Sequence, residues 1–256
     1  MMSKQIARVR VRLRPLKALY RRLKRTLWRT PPPQPPVSER ITDALARLSS
    51  RGIEVGSFLN IGSGRGDDLE FFKRLWPQMR TLLIDMDPRF IEGWQKLAHD
   101  YSGTSYVVAG AASEDGEGQF LKSNDVGGAI SKAPKGDNSH TTPLRKLDTL
   151  VREFELPGPF FLKFDTHGVE LDIMEGAKET LAQTSLIIIE AYNFKLEFVD
   201  RKNLTFDEMC IHMRTLGFRC VDYCEPLYRP GDLALWQIHL IFIRDDHPVF
   251  RKTTYD

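Results

Sequence analysis

The chain has 256 residues, 41% of them hydrophobic and 28% charged, a globular balance that excludes a largely disordered chain or a fibrous repeat. Its longest aliphatic run, residues 186–189, falls far short of the roughly 18 apolar residues of a membrane-spanning helix, and three cysteines do not suggest a disulfide-stapled fold. The net charge of +3 conceals an asymmetry: residues 1–30 hold eleven Lys and Arg and no acid, whereas the remainder carries 26 basic and 34 acidic residues.

Residues 1–30 are expected to form a basic amphipathic arm, helical beyond Pro15. Leu16, Leu19, Tyr20, Leu23 and Leu27 make one apolar stripe, and Lys17, Arg21, Lys24 and Arg25 occupy much of the rest. Such an arm suits an anionic membrane surface. Nucleic-acid binding is the weaker rival, needing only the same charges; an organellar presequence, a solvated tail or a helix packed on the domain also stay open. There is no continuous apolar stretch of the secretory type, so a cytoplasmic setting is expected, peripheral on the membrane if the arm binds there. Residues 31–37 contain five prolines and read as an extended spacer, which places the folded domain at 38–256.

Within that domain, helices are expected at residues 38–48 and 67–76, after Asp87-Pro88, from Asp148 as N-cap through 154, and at 170–182 and 206–216. Strands are expected at 57–61, 81–84, 106–109, 160–164, 186–189, 218–223 and 236–243, and residues 120–142 read as loops and short strands without clear period. Continuously apolar strands alternating with helices imply a doubly wound, Rossmann-like α/β domain. Its sheet would have seven strands, mainly parallel, with an antiparallel C-terminal strand.

Ligands of such sheets lie beyond the carboxyl ends of the strands, where strand order reverses. Gly62, Gly64 and Gly66 follow the first strand and leave room for a tight turn and a close ligand. Asp67 stands where a dinucleotide fingerprint has its third glycine, a poor neighbour for phosphate but tolerable to an ammonium or sulfonium group. Asp85 ends the next strand at the spacing of a ribose-binding carboxylate, and the thioether of Met86 can lie against adenine. Asp87, before Pro88, reads as a helix cap.

At these residues the sequence resembles the FkbM family of S-adenosylmethionine-dependent methyltransferases. The likeness rests on Phe58-Leu59-Asn60-Ile61-Gly62-Ser63-Gly64-Arg65-Gly66, on Asp85-Met86-Asp87-Pro88, and on residues 111–117. Its longest segments are Leu162-Lys163-Phe164-Asp165-Thr166-His167-Gly168-Val169-Glu170, running into residues 173–177, and Ile187-Ile188-Ile189-Glu190. The resemblance implies S-adenosylmethionine as cofactor, with Gly62, Gly64, Gly66, Asp85, Ala111 and Asp165 as contacts, and Asn60, Ser63, Asp67 and Met86 beside them. The family usually has an acid where Asn60 stands and often Glu or Gln in place of His167. The activity implied is methylation of a hydroxyl, less readily an amine, of a small molecule or glycan. A NAD-dependent oxidoreductase and a non-enzymatic tethered module are the alternatives.

Methyl transfer to a hydroxyl needs an aligned acceptor and a route for its proton. Asp165, His167 and Glu190 are the catalytic candidates, His167 because its ordinary pKa suits a base near neutrality. Glu170 reads as favouring its helix N-terminus, His140 as a loop residue or part of an acceptor wall, and Trp236 as sheet core. Asp165, His167 and Glu190 would also suit a hard cation, but no metal is assigned. The spacings of Cys210, His212, Cys220 and Cys224 match no common zinc finger.

Overall fold

The computed structural model describes residues 40–122, 128–131, 139–196 and 203–255. The basic arm, the proline-rich spacer and the boundary at residue 38 lie outside the described residues. The elements below all belong to one compact unit, residues 39–228 with 234–256.

Helix α1 (Ile41–Ser49) leads to β1 (Ser57–Ile61), α2 (Leu69–Leu75) and β2 (Arg80–Asp85). A 3-10 turn, Pro88–Phe90, runs into α3 (Ile91–Asp100) and β3 (Thr104–Val108). Four further strands follow: β4 (Gly110–Ala111), β5 (Gly116–Lys122), β6 (Gly128–Ser131) and β7 (Ser139–Arg145). The second half is α4 (Leu147–Glu153), β8 (Phe160–Phe164), α5 (Glu170–Glu175), α6 (Lys178–Ala182), β9 (Thr184–Tyr192), α7 (Phe206–Thr215), β10 (Phe218–Tyr228) and β11 (Leu235–Arg244).

The main sheet has the order β3-β2-β1-β8-β9-β11-β10. The first five strands in that order are parallel, and β11 runs antiparallel to both β9 and β10. Every residue of β1 and β8 is buried, because successive side chains feed two different cores. Leu59, Leu162, Phe164 and Ile187 pack with Leu147, Ile173 and Met213, whereas Phe58, Phe161 and Ile188 pack with Leu45, Leu48 and Phe72. Phe58 stacks on Phe161 at 4.6 Å between ring centroids, with Phe72 edge-on at 5.1 Å. Burial on both faces is why these strands carry no polar alternation.

Three local expectations are corrected, and the strands expected within 120–142 are given a place. Helix α2 begins at Leu69 rather than 67, with Asp68 as its N-cap residue, so exposed Asp67 does not sit in the first turn. The helix expected at 170–182 divides at Gly176, where a Cβ would lie 2.1 Å from the Ala112 carbonyl oxygen. The segment 120–142 contributes to a second sheet of order β4-β7-β5-β6. Strand β9 extends through Glu190 to Tyr192, which therefore lie on the sheet and on one face of it.

Asp148 is not the cap of its own helix, whose N-cap residue is Lys146. It is buried inside α4 and accepts hydrogen bonds from Thr180 N at 2.8 Å, Thr180 Oγ1 at 2.7 Å and Glu179 N at 3.2 Å. The carboxylate thereby satisfies the open amides of α6 from a neighbouring helix. Asp148→Ala leaves those donors buried and unpaired, so urea unfolding is expected to show a loss of about 2–3 kcal/mol. A loss below about 0.5 kcal/mol would show that the contact contributes no more than an ordinary surface residue.

Candidate active site

The order of the main sheet reverses between β1 and β8, and the site forms at the carboxyl ends of those strands. The turn after β1 needs left-handed backbone at Gly62, Gly64 and Gly66, with φ of +74°, +50° and +75°. A Cβ on Gly62 would lie 2.1 Å from the Asp165 carbonyl oxygen, so the exits of β1 and β8 touch. The amides of Gly62 and Ser63 donate to the Ile84 carbonyl at 2.9 and 3.1 Å.

Asp85 closes β2 and braces this turn. Its Oδ2 accepts from Gly64 N at 2.9 Å and its Oδ1 from Asp87 N at 3.0 Å. Burial raises its pKa despite these amides. Trp94 Nε1 donates to the Gly64 carbonyl at 2.8 Å, tying the turn to α3. Asp87 caps the Pro88 turn by accepting from Arg89 N at 3.0 Å, in keeping with its reading from sequence.

A cavity of about 230 Å³ opens here. Gly62, Ser63, Gly64, Asp85, Met86 and Ala111 line it from one side, and Asp165 and His167 from the other. Phe120 enters from the second sheet. Four expected residues lie off its wall. Gly66 sits behind the turn, where a Cβ would press on Leu97; Asn60 is buried within β1; Asp67 is exposed; Glu190 lies on β9. His140 is no solvated loop residue: its Nε2 is 3.3 Å from the Met86 carbonyl oxygen, and its ring stands edge-on to Phe120 at 5.1 Å. The second sheet thus holds Met86 in place.

On the other side the polar groups form one connected layer. Lys163 is buried, and its Nζ lies 2.9 Å from Asp68 Oδ2 and 3.0 Å from Asp165 Oδ2. Burial opposes that charge, but Asp165 and Asp68 outweigh it and raise the lysine's pKa. Burial likewise opposes ionisation of Asp165, and the Lys163 charge reverses the balance and lowers its pKa. Glu190 is pushed up to about 8, first by burial and then by the charge of Asp165.

The Tyr192 hydroxyl donates to Glu190 Oε1 and lies 2.9 Å from His167 Nδ1. Burial lowers the pKa of His167, with Asp165 acting against it. Glu170 is buried at the start of α5 and accepts from Thr166 Oγ1 at 3.0 Å and Gly168 N at 2.9 Å. It staples the loop that carries His167.

Lys163 and His239 were not singled out from sequence. A lone Lys in Phe160-Phe161-Leu162-Lys163-Phe164 and a lone His in Ile238-His239-Leu240 were the available signals. His239 lies on β11 with Nε2 3.9 Å from Glu190 Oε2 and Nδ1 3.4 Å from Glu225 Oε2. Single ligand atoms of Asp165, Glu190 and His239 lie within 4.8 Å of one another, a donor set that suits a divalent ion. Lys163 already supplies balancing positive charge at Asp165.

A glycine turn at the first crossover and a carboxylate closing the second strand define an α/β site for a nucleoside-bearing ligand. The profile described as the methyltransferase FkbM domain matches residues 65–220, more than half of the chain. The protein belongs to this family of S-adenosylmethionine-dependent methyltransferases, and S-adenosylmethionine is its cofactor. No curated protein matches the sequence.

Among solved structures, the chain is similar to Sp1610 of Streptococcus pneumoniae, a proposed tRNA (m1A22) methyltransferase, at 13% identity and a TM-score of 0.44 over 80% of this chain and 70% of that one. It is also similar to precorrin-6y C5,15-methyltransferase of Geobacter metallireducens, at 12% identity and a TM-score of 0.39 over 78% and 86% of the respective chains. A third likeness is to a SAM-dependent methyltransferase of Aquifex aeolicus, at 12% identity and a TM-score of 0.41 over 79% and 89%.

The raised pKa of Glu190 makes stability depend on pH. The folded value of about 8 lies above the ordinary 4.5, so its protonated form favours folding. That contribution is complete below about pH 4.5 and is lost as pH rises through 8. Lys163, Asp165, His167, Tyr192 and His239 are the ionisable groups facing it. Glu190→Gln keeps a neutral side chain of the same shape. Urea unfolding between pH 5 and 9 should show the wild type losing stability relative to the variant, by up to about 1.4 kcal/mol per pH unit. Parallel curves would contradict the assignment.

Proposed function

We propose that the chain transfers the methyl group of S-adenosylmethionine to a hydroxyl group of a small molecule or glycan. The observation that carries this reading is His167, an imidazole in the wall of the cofactor cavity whose basicity burial has lowered. Such a ring is neutral at physiological pH and able to accept a proton.

The residues present fit the cofactor. Ser63 Oγ is buried in the cavity wall without a hydrogen-bond partner among the described residues, and the side-chain-free Gly62 and Gly64 flank it. These three would receive the polar methionine end, and Asp85 the ribose hydroxyls. Met86 and Ala111 would flank the adenine, where a side chain on Gly110 would come within 2.9 Å of Met86 Sδ. Ionised Asp165 would face the sulfonium. The bound cofactor supplies an electrophilic methyl group on positively charged sulfur.

The chain's own part is to align the acceptor, to offset the positive charge through Asp165, and to take the acceptor's proton on His167. A positioned base contributes roughly 10²–10⁴-fold. Lys163 keeps Asp165 ionised, and Glu190 stays protonated beside it, so two neighbouring carboxyls take different roles. Attachment to an anionic membrane through residues 1–30 is supported by their eleven Lys and Arg. No helix among the described residues is long and apolar enough to cross a membrane.

Calorimetry with S-adenosylhomocysteine should show binding, and Asp85→Ala should weaken it by at least about tenfold, or 1.4 kcal/mol. Transfer of labelled methyl to a panel of hydroxylated acceptors should fall about 10²–10⁴-fold in His167→Ala with that binding retained. Absent binding at millimolar ligand, or unchanged turnover in His167→Ala, would contradict the reading.

A further inference from the structure

We infer that Tyr192 is a positioning residue that selects the tautomer of His167, holding the proton on Nδ1 and leaving Nε2 as the basic atom. The inference rests on the reading of His167 as the base and extends it to a residue outside the cavity wall.

A neutral imidazole carries one proton, and either nitrogen can hold it. Only the tautomer with a bare nitrogen toward the acceptor can act as a base. A tyrosine hydroxyl also carries one proton. Here that proton is committed, because Tyr192 donates to Glu190 Oε1. The same oxygen lies 2.9 Å from His167 Nδ1 and has only lone pairs left to offer, so Nδ1 must be the donor. Glu190 cannot make this contact directly, since its Oε1 is 3.7 Å from His167 Nδ1. An oxygen of Glu190 also lies within 4.8 Å of one of Asp165. The donors point one way along the chain: His167 to Tyr192, and Tyr192 to Glu190. Aligned donors of this kind reinforce one another.

The relay is held from both ends. Period-two geometry puts Glu190 and Tyr192 on one face of β9. The Tyr192 ring is buried, edge-on to Trp236 at 5.9 Å, and Trp236 stacks on Phe194 at 5.5 Å. Trp236 therefore packs against the relay. On the histidine side, the staple from Glu170 to Thr166 and Gly168 fixes the loop. Tyr192 thus takes the place that a carboxylate takes in a Ser-His-Asp arrangement.

In the transfer, the acceptor's O–H bond breaks and its proton passes to His167 Nε2. The bond from methyl carbon to sulfur breaks as the bond to the acceptor oxygen forms. Sulfur keeps the electron pair and leaves as the thioether of S-adenosylhomocysteine. The imidazolium so formed keeps its Nδ1–H on Tyr192.

The test is NMR of the full chain labelled with ¹⁵N in its imidazoles, recorded at mildly alkaline pH, with His167 assigned by the signal lost in His167→Asn. The wild type should show His167 with the proton on Nδ1. Tyr192→Phe, which removes only the hydroxyl, should lose that single tautomer. Its affinity for S-adenosylhomocysteine should stay within about twofold by calorimetry, and turnover should fall at least about tenfold. A wild-type His167 protonated on Nε2 would overturn the inference, whatever the stability of the variant. So would an unchanged tautomer in Tyr192→Phe. Either result with S-adenosylhomocysteine still bound removes the relay and leaves the cofactor reading standing; absent binding in the wild type removes both.

Discussion

A lysine ammonium with almost no access to water has to find anions, and at Lys163 it finds two, Asp68 before α2 and Asp165 at the exit of β8. Breaking such a pair costs several kcal/mol because the partner is left charged and buried. The bridge therefore constrains everything around it. It ties the start of α2 to the end of β8. It favours an ionised Asp165 beside the cavity, and burial together with that charge raises the pKa of Glu190.

The cofactor side depends on a different constraint, close approach of backbone to backbone. Gly62 lies against the Asp165 carbonyl so tightly that no side chain could stand there. Asp85 receives the Gly64 amide on one oxygen and the Asp87 amide on the other. The glycine turn after β1 and the exit of β8 are thus fixed to each other within the fold itself. Such preorganisation is what methyl transfer needs, since alignment supplies much of its acceleration. The second sheet adds a further wall, with His140 on the Met86 carbonyl and Phe120 in the cavity.

Much of this was legible in the sequence, and the remainder was hidden for physical reasons. Apolar runs such as Phe160–Phe164 mark strands buried on both faces, and the glycines at 62, 64 and 66 mark the turn between the first strand and helix. Residues 120–142 read as loops and short strands, and their sheet was not legible because these strands lack one apolar face to set a period. Gly176 divides a helix through a contact with Ala112, more than sixty positions away. Asp148 looked like a local cap and serves a different helix. Lys163 could be seen as an odd residue in an apolar strand, but its partners Asp68 and Asp165 become evident only when β1, β8 and α2 meet. Tyr192, just beyond the aliphatic run 186–189, belongs to the strand itself, which ends three residues later than that run suggests.

The measurement that bears most directly on the arrangement is a crystal structure of the protein with S-adenosylhomocysteine. The ribose hydroxyls should rest on Asp85 and the sulfur should face Asp165 and His167, with the Lys163 ammonium still between Asp68 and Asp165. A ligand bound elsewhere, or a lysine withdrawn from Asp165 when the ligand is seated, would contradict it.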